Sequence, residues 1–223
     1  MPKFYRSMFH GHYLPIKSLN KAKRIFLIVR DGRDVMISEY FHSLVWNEKN
    51  KRNPKTVLYH RNQLQFKDLD NIYENLPRFI EYKFTHRPPR KINFFYHGNW
   101  VEYNEAWIRA QEGGNFKNVL ITYYESLLRN TEQEVEKLIQ KTVSGEIDRD
   151  KLSNIIQYYS FKNQSKRNQG EENRDSFLRK GVSGDWKNYF SSEAAQIFDY
   201  YAGDLLIALG YENDKTWINI NDN

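Results

Sequence analysis

The run Arg24-Ile25-Phe26-Leu27-Ile28-Val29, halted at once by Arg30-Asp31-Gly32-Arg33-Asp34, restricts the fold of this chain more than any other segment. A short, continuous, β-branched apolar run closed by a turn reads as a strand buried on both faces, of the kind found inside parallel sheets. Beyond the turn, Val35, Met36, Ile37, Tyr40, Phe41 and Leu44 fall at helical spacing, and Asp31 is placed to cap that helix. Strand, tight turn and helix make half of a βαβ unit.

The rest of the chain repeats this alternation. Asn118 to Tyr124 reads as a second buried strand, followed by an amphipathic helix over Glu125 to Lys141. Helical patterns also cover the segment from Trp100 to the Gly113-Gly114 stop, Asp150 to Tyr159, and Glu193 to Leu209, with Gly210 as its C-terminal cap. Leu69 to Ile80 suggests a helix interrupted near Pro77, and Lys162 to Lys187 reads as a basic, Gly-containing loop. The fold class expected is α/β, a parallel sheet flanked by helices, in one domain over residues 1–223.

Composition narrows the function only by exclusion. The chain has 223 residues, 28% of them charged, and no cysteine, so disulfides, zinc ribbons and thiol chemistry are excluded. No apolar run of about 18 residues is present to span a membrane, and no apolar segment follows the basic start as in a secretory signal. The cytoplasm is the expected compartment. Thirty-four Lys and Arg against 28 Asp and Glu give a net charge of +6, which favours an anionic partner without choosing one.

Two segments are suited to hold an anion. Arg30 stands at the carboxyl end of the first strand, where α/β proteins bind ligands, and the next helix begins there with its free N–H groups. Ser38 lies on that helix and can add a hydroxyl. The other reading is that Arg30 and Arg33 pair with Asp31 and Asp34. In the second segment, Arg179-Lys180-Gly181 is followed by Gly184-Asp185-Trp186-Lys187, adjacent cations with glycines that let the backbone approach a phosphate. Basic runs at 48–55 and 86–91 read as solvated loops or as a grip on an anionic acceptor. The six His show no metal-ligand spacing.

With these residues in hand, the chain resembles the cytosolic-type sulfotransferases. Arg30 through Ser38 resembles their 3′-phosphate-binding segment, and Arg179-Lys180-Gly181 with Gly184-Asp185-Trp186-Lys187 resembles their C-terminal signature. Gly98-Asn99-Trp100, Tyr124-Glu125 and Ser160-Phe161-Lys162 match three further family motifs in the right order. The resemblance implies a P-loop-NTPase-like sulfotransferase fold. It also implies 3′-phosphoadenosine 5′-phosphosulfate (PAPS) as donor, no metal, and transfer of a sulfuryl group to an acceptor hydroxyl or amine. It places Arg30, Ser38, Arg179, Lys180 and Gly181 on the 3′-phosphate and Tyr124 and Phe161 on the adenine, and counts Ser160 among the cofactor-binding residues.

Three departures from the family pattern qualify that resemblance. No Gly-rich loop for the 5′-phosphosulfate precedes Arg30, so the N-terminal strand, loop and helix are expected to be missing. Ungapped alignment puts Met8 where the family has its catalytic His, and a thioether cannot take a proton. His10 and His12 follow shortly after and are the candidate bases, imidazole being suited to that task near neutral pH. The family's dimerisation motif is not matched over Lys187 to Gln196, and no dimer is inferred. The acceptor expected is a small molecule or a saccharide, an acidic one on charge alone. The alternatives are a non-catalytic 3′-phosphoadenosine-binding module and, third, a basic nucleic-acid binder. No known nucleic-acid motif supports the last.

Overall fold

In the computed structural model, the described residues are 14, 15, 19, 21–89, 98–114, 116–142 and 145–220. Strand β1 (Ile25–Val29) lies parallel to β2 (Val119–Tyr123), in register from Ile25 opposite Val119 to Val29 opposite Tyr123. Helices surround this small sheet, as the α/β pattern requires. After β1 come α1 (Gly32–Tyr40), a π-helical turn (Phe41–Trp46) and α2 (Asn47–Lys49), then α3 (Pro54–Leu64), α4 (Ile72–Thr85) and α5 (Trp100–Glu112). After β2 come α6 (Tyr124–Arg129), α7 (Thr131–Gln140), α8 (Arg149–Tyr159), α9 (Phe161–Ser165) and α10 (Ser192–Ala208). Short 3₁₀ turns at Asp185–Asn188 and Lys215–Ile218 flank α10.

The turn after β1 is built as its residues dictate. Asp31 caps α1, its carboxylate accepting the Arg33 N–H at 2.9 Å. Asn99 and Glu102 form a reciprocal capping box at the start of α5, and Ser191 caps α10. Gly210 follows α10 at φ +76°, the left-handed conformation that glycine adopts without strain.

The larger apolar core gathers Ile37, Tyr40 and Leu44 of the first helical segment, Leu76, Phe79 and Ile80 of α4, and Phe198 and Leu206 of α10. The Tyr40 hydroxyl donates to the Leu69 carbonyl at 2.9 Å and accepts from Asn75 at 2.8 Å; burial pushes its pKa up to about 12. A smaller core of Leu27, Val29, Trp107, Phe116 and Val119 lies under one face of the sheet.

Several local expectations are corrected. β1 is not buried on both faces: Leu27 and Val29 point into the smaller core, whereas Phe26 is 42% and Ile28 55% exposed. Strand side chains alternate in direction, and among the described residues only one face of β1 is closely packed. α4 is not interrupted at Pro77 but runs through it. The carbonyl that proline leaves unpaired is that of Tyr73, an exposed residue, and burying Ile72, Leu76, Phe79 and Ile80 outweighs the lost bond. The helix expected over 125–141 breaks at Asn130 into α6 and α7. Helix α3 arises at the end of the charge run at 48–55, starting at Pro54 within it, where a missing N–H costs nothing. Among the described residues no helix is long and apolar enough to cross a membrane.

Gly32 opens α1 against two rings: a Cβ there would stand 2.7 Å from Trp100 and 2.8 Å from Phe198. Alanine favours a helix over glycine by about 1 kcal/mol, but overpacking a rigid core costs about 1–3 kcal/mol. Gly32→Ala is therefore expected to destabilise the fold; a raised urea midpoint would show instead that the rings can yield.

Candidate functional site

The carboxyl ends of the two strands carry the first half of the site. Arg30 follows β1 and Tyr124 follows β2, and the Arg30 guanidinium lies over the Tyr124 ring at 4.5 Å. The Asp31 N–H donates to Glu125 at 3.0 Å, and the Tyr211 hydroxyl donates to the other oxygen of that carboxylate at 3.0 Å. The two strand ends are thus tied side by side. Burial and the adjacent Glu125 push the Tyr211 hydroxyl far up, so it stays a donor.

Arg30 and Arg33 differ in how they are satisfied. Arg33 is buried, pairs with Asp31 at 2.8 Å and Glu212 at 2.5 Å, and stacks on Trp186 and Trp217 at 3.9 and 4.7 Å. Burial opposes its charge, but the two carboxylates more than restore it and raise its pKa. Arg33 is a structural ion. Arg30 reaches only Asp34, at 4.0 Å, and its Nε is buried with no hydrogen-bond partner among the described residues. A buried donor atom left unanswered is rare, and an acceptor arriving at the half-buried guanidinium would satisfy it.

The second half of the site is the basic loop. Phe161 of α9 lies against Gly181, where φ is +69° and a Cβ would stand 2.4 Å from the ring. Glycine is therefore required there by both backbone and space. Ser160 caps α9 by accepting the Asn163 N–H at 3.3 Å. Arg167 braces the loop from within, donating to the carbonyls of Leu178, Arg179 (2.9 Å) and Glu171 (2.5 Å), with its guanidinium 5.4 Å over the Phe161 ring.

Unlike Arg30, Arg179 and Lys180 are answered within the chain. Each lies 2.5 Å from Asp185, and Arg179 also contacts Glu172 and lies 4.6 Å over the Phe41 ring. Burial works against the Asp185 charge, but bonds from Lys180, Arg179 and Asn188 prevail and hold its carboxyl below the usual range.

Asp34 brings the halves together. Its buried carboxylate accepts the Gly184 N–H at 2.6 Å and the Trp186 N–H at 2.9 Å, seating the basic loop on α1. Ser38 stands one turn further along α1, half-buried. The structure therefore groups Arg30 with Tyr124, Phe161 with Gly181, and Arg179 with Lys180, and joins the first group to the loop through Asp34. His10 and His12 lie outside the described residues. Sequence reasoning missed Asp34 as the clamp and Arg167 as the brace.

A cation at a parallel strand end beside a helix N-terminus, with a basic glycine loop folded onto that helix, is the arrangement that this α/β domain presents. The chain belongs to the sulfotransferase domain family, whose model matches residues 1–210. It is 28% identical to sulfotransferase 2A6 of Rattus norvegicus over 189 residues, covering 81% of this chain and 55% of that protein. Identity to the 3-alpha-hydroxysteroid sulfotransferase of Cavia porcellus is 24% over 207 residues, covering 89% of this chain and 61% of the relative. The chain thus spans little more than half the length of the curated relatives it matches. Its fold is similar to that of mouse sulfotransferase SULT7A1, solved complexed with PAP, with a TM-score of 0.53 and 21% identity over 82% of this chain and 58% of the other. Among the described residues no group of three or more His, Asp or Glu could hold a metal ion.

Asp34→Asn replaces one acceptor by a donor facing a backbone N–H, a change that costs on the order of 1–3 kcal/mol. Amide exchange at Gly184 and Trp186 should accelerate; unchanged protection would show that the loop is seated by other contacts. For Asp185 the folded pKa is depressed, so its stabilisation is present above the ordinary carboxylate pKa and lost as pH falls through the folded value. Below about pH 4, Asp185→Asn should therefore lose less stability on further acidification than the parent chain, read by thermal melts along a pH series.

Proposed function

We propose that this protein transfers a sulfuryl group from PAPS to the hydroxyl of a small molecule or a saccharide. The observation that carries this reading is Arg30, a half-buried guanidinium over an aromatic ring whose buried Nε is unanswered among the described residues. A ribose 3′-phosphate supplies the charge and acceptor atoms that such a group lacks, and arginine offers two donors in one plane. Ser38 and the Gly181 segment would complete the phosphate contacts. Tyr124 and Phe161 would flank the adenine, with Ser160 fixing the start of the short helix that carries Phe161.

Arg179 and Lys180 would share their donors between the phosphate and Asp185. They hold the loop basic while Asp185 sets their positions. When bound, the donor supplies an activated sulfuryl group whose bond to the 5′-phosphate breaks as the bond to the acceptor oxygen forms. The chain's part is to position the partners, stabilise charge and remove the acceptor proton, for which His10 and His12 are the candidate bases. We assign the reaction to the cytoplasm, on the resemblance to the cytosolic-type sulfotransferases.

Calorimetry with adenosine 3′,5′-bisphosphate and with PAPS tests the reading. Arg30→Ala should weaken both by at least about tenfold, the equivalent of about 1.4 kcal/mol. Lys180→Ala should cost less than Arg30→Ala, because its ammonium is already satisfied by Asp185. A folded sample that binds neither nucleotide would overturn the proposal. Binding of the bisphosphate alone would reduce the protein to a product-binding module.

A further inference from the structure

Leu27, Val29, Val119, Ile121 and Tyr123 turn to the smaller core, so Phe26, Ile28, Leu120 and Thr122 turn to the other face of the sheet. Ile28 and Thr122 stand opposite one another in the register. Arg30 and Tyr124 each lie two residues further on and continue that second face, where the guanidinium covers the Tyr124 ring at 4.5 Å. Arg30 and Thr122 therefore belong to one side of the sheet, at the strand ends where the candidate anion site lies.

They also share a deficiency. Among the described residues, two buried side-chain N or O atoms have no hydrogen-bond partner: Arg30 Nε and Thr122 Oγ1. The two are complementary, since the guanidinium N–H can only donate and a hydroxyl oxygen can accept. Thr122 is 4% exposed, in a strand where valine would have the same shape and no polar atom to satisfy. Burying its hydroxyl unanswered costs stability that valine would not lose. The Arg30 backbone is fixed, its carbonyl accepting from Trp100 Nε1 at 3.0 Å. Its guanidinium is held more loosely: Asp34 is 4.0 Å away and already accepts from the Gly184 and Trp186 N–H groups.

We propose that Thr122 is a positioning residue for Arg30: when an anion draws the guanidinium, Nε–H donates to Thr122 Oγ1, and the two terminal nitrogens face the phosphate oxygens. The proposal rests on the reading that Arg30 meets the 3′-phosphate. One new bond answers both orphaned atoms and fixes the plane of the guanidinium, which a two-pronged contact with phosphate requires. The β-branch of threonine restricts its rotamers, so the hydroxyl is held in place before the anion arrives. The empty chain bears the cost of two unanswered atoms, and binding is favoured because it removes that cost.

The test uses the full chain labelled with ¹⁵N at arginine. Thr122→Val keeps the shape and removes the hydroxyl, whereas Thr122→Ser keeps the hydroxyl. The Arg30 Nε–H signal is assigned by its loss in Arg30→Lys. Adenosine 3′,5′-bisphosphate should move that proton downfield in the parent and in Thr122→Ser, but not in Thr122→Val. Thr122→Val should bind the bisphosphate about tenfold more weakly, and Thr122→Ser should recover most of that loss. Adenosine 5′-monophosphate, which has no 3′-phosphate, should bind the parent and Thr122→Val alike. Without nucleotide, Thr122→Val should melt no lower than the parent. A lower melt with an equal loss for both nucleotides would mark Thr122 as structural and overturn the proposal. It is also overturned if Thr122→Val binds the bisphosphate as the parent does. An Arg30 Nε–H signal that stays put in the saturated parent overturns it too, even where Thr122→Val fails to fold. A folded parent that binds no bisphosphate would remove the donor-site reading itself, and this proposal with it.

Discussion

Two backbone N–H groups held by one buried carboxylate keep this site in one piece. Asp34 projects from the first turn of α1 and accepts from Gly184 and Trp186, residues about 150 positions further along the chain. Burial raises the Asp34 pKa against those two bonds, so the charge is held at a cost that only a seated loop offsets. Once Trp186 is in place, Arg33 can stack on it and on Trp217 while binding Asp31 and Glu212. The C-terminal segment is thereby tied to the same turn as the basic loop.

The distribution of satisfied and unsatisfied cations gives this region its direction. Arg33, Arg179 and Lys180 are each matched by carboxylates, so these pairs hold shape. Arg30 alone among these four has a buried donor without a partner in the described residues. An incoming phosphate gains most where the protein has left a donor open, and least where it must displace Asp185. The glycine at 181 adds a spatial requirement, since the Phe161 ring occupies the place a side chain would take.

Much of this could be read before folding. β1, the turn, the Asp31 cap, α5 with its Gly113 stop, and the Gly210 end of α10 follow from residue order and local chemistry. The family itself was legible because Arg, Ser and Gly stand at spacings that match its motifs. What escaped were features decided by distant partners. Phe26 and Ile28 look as apolar as Leu27 and Val29, yet only the second pair meets Trp107 and Phe116. Pro77 looked like a break, but a helix anchored by four buried residues tolerates one missing bond. Asp185 read as part of a signature and proved to be the counter-ion that positions both loop cations.

The sequence by itself determined which segments are strand and helix, where they are capped, and which residue types are offered to an anion. These are local properties, set by side-chain periodicity and by hydrogen bonds that reach three or four residues. Only the tertiary structure decided which cations are already neutralised and which face of β1 is closely packed. Arg33 takes up Glu212 from 179 residues away, and β1 takes cover from Trp107 of α5. Even the short-range pairs of Arg179 and Lys180 with Asp185 depend on how their loop turns, so that groups compete for the same carboxylates and the same apolar cover. No local pattern encodes the result of that competition.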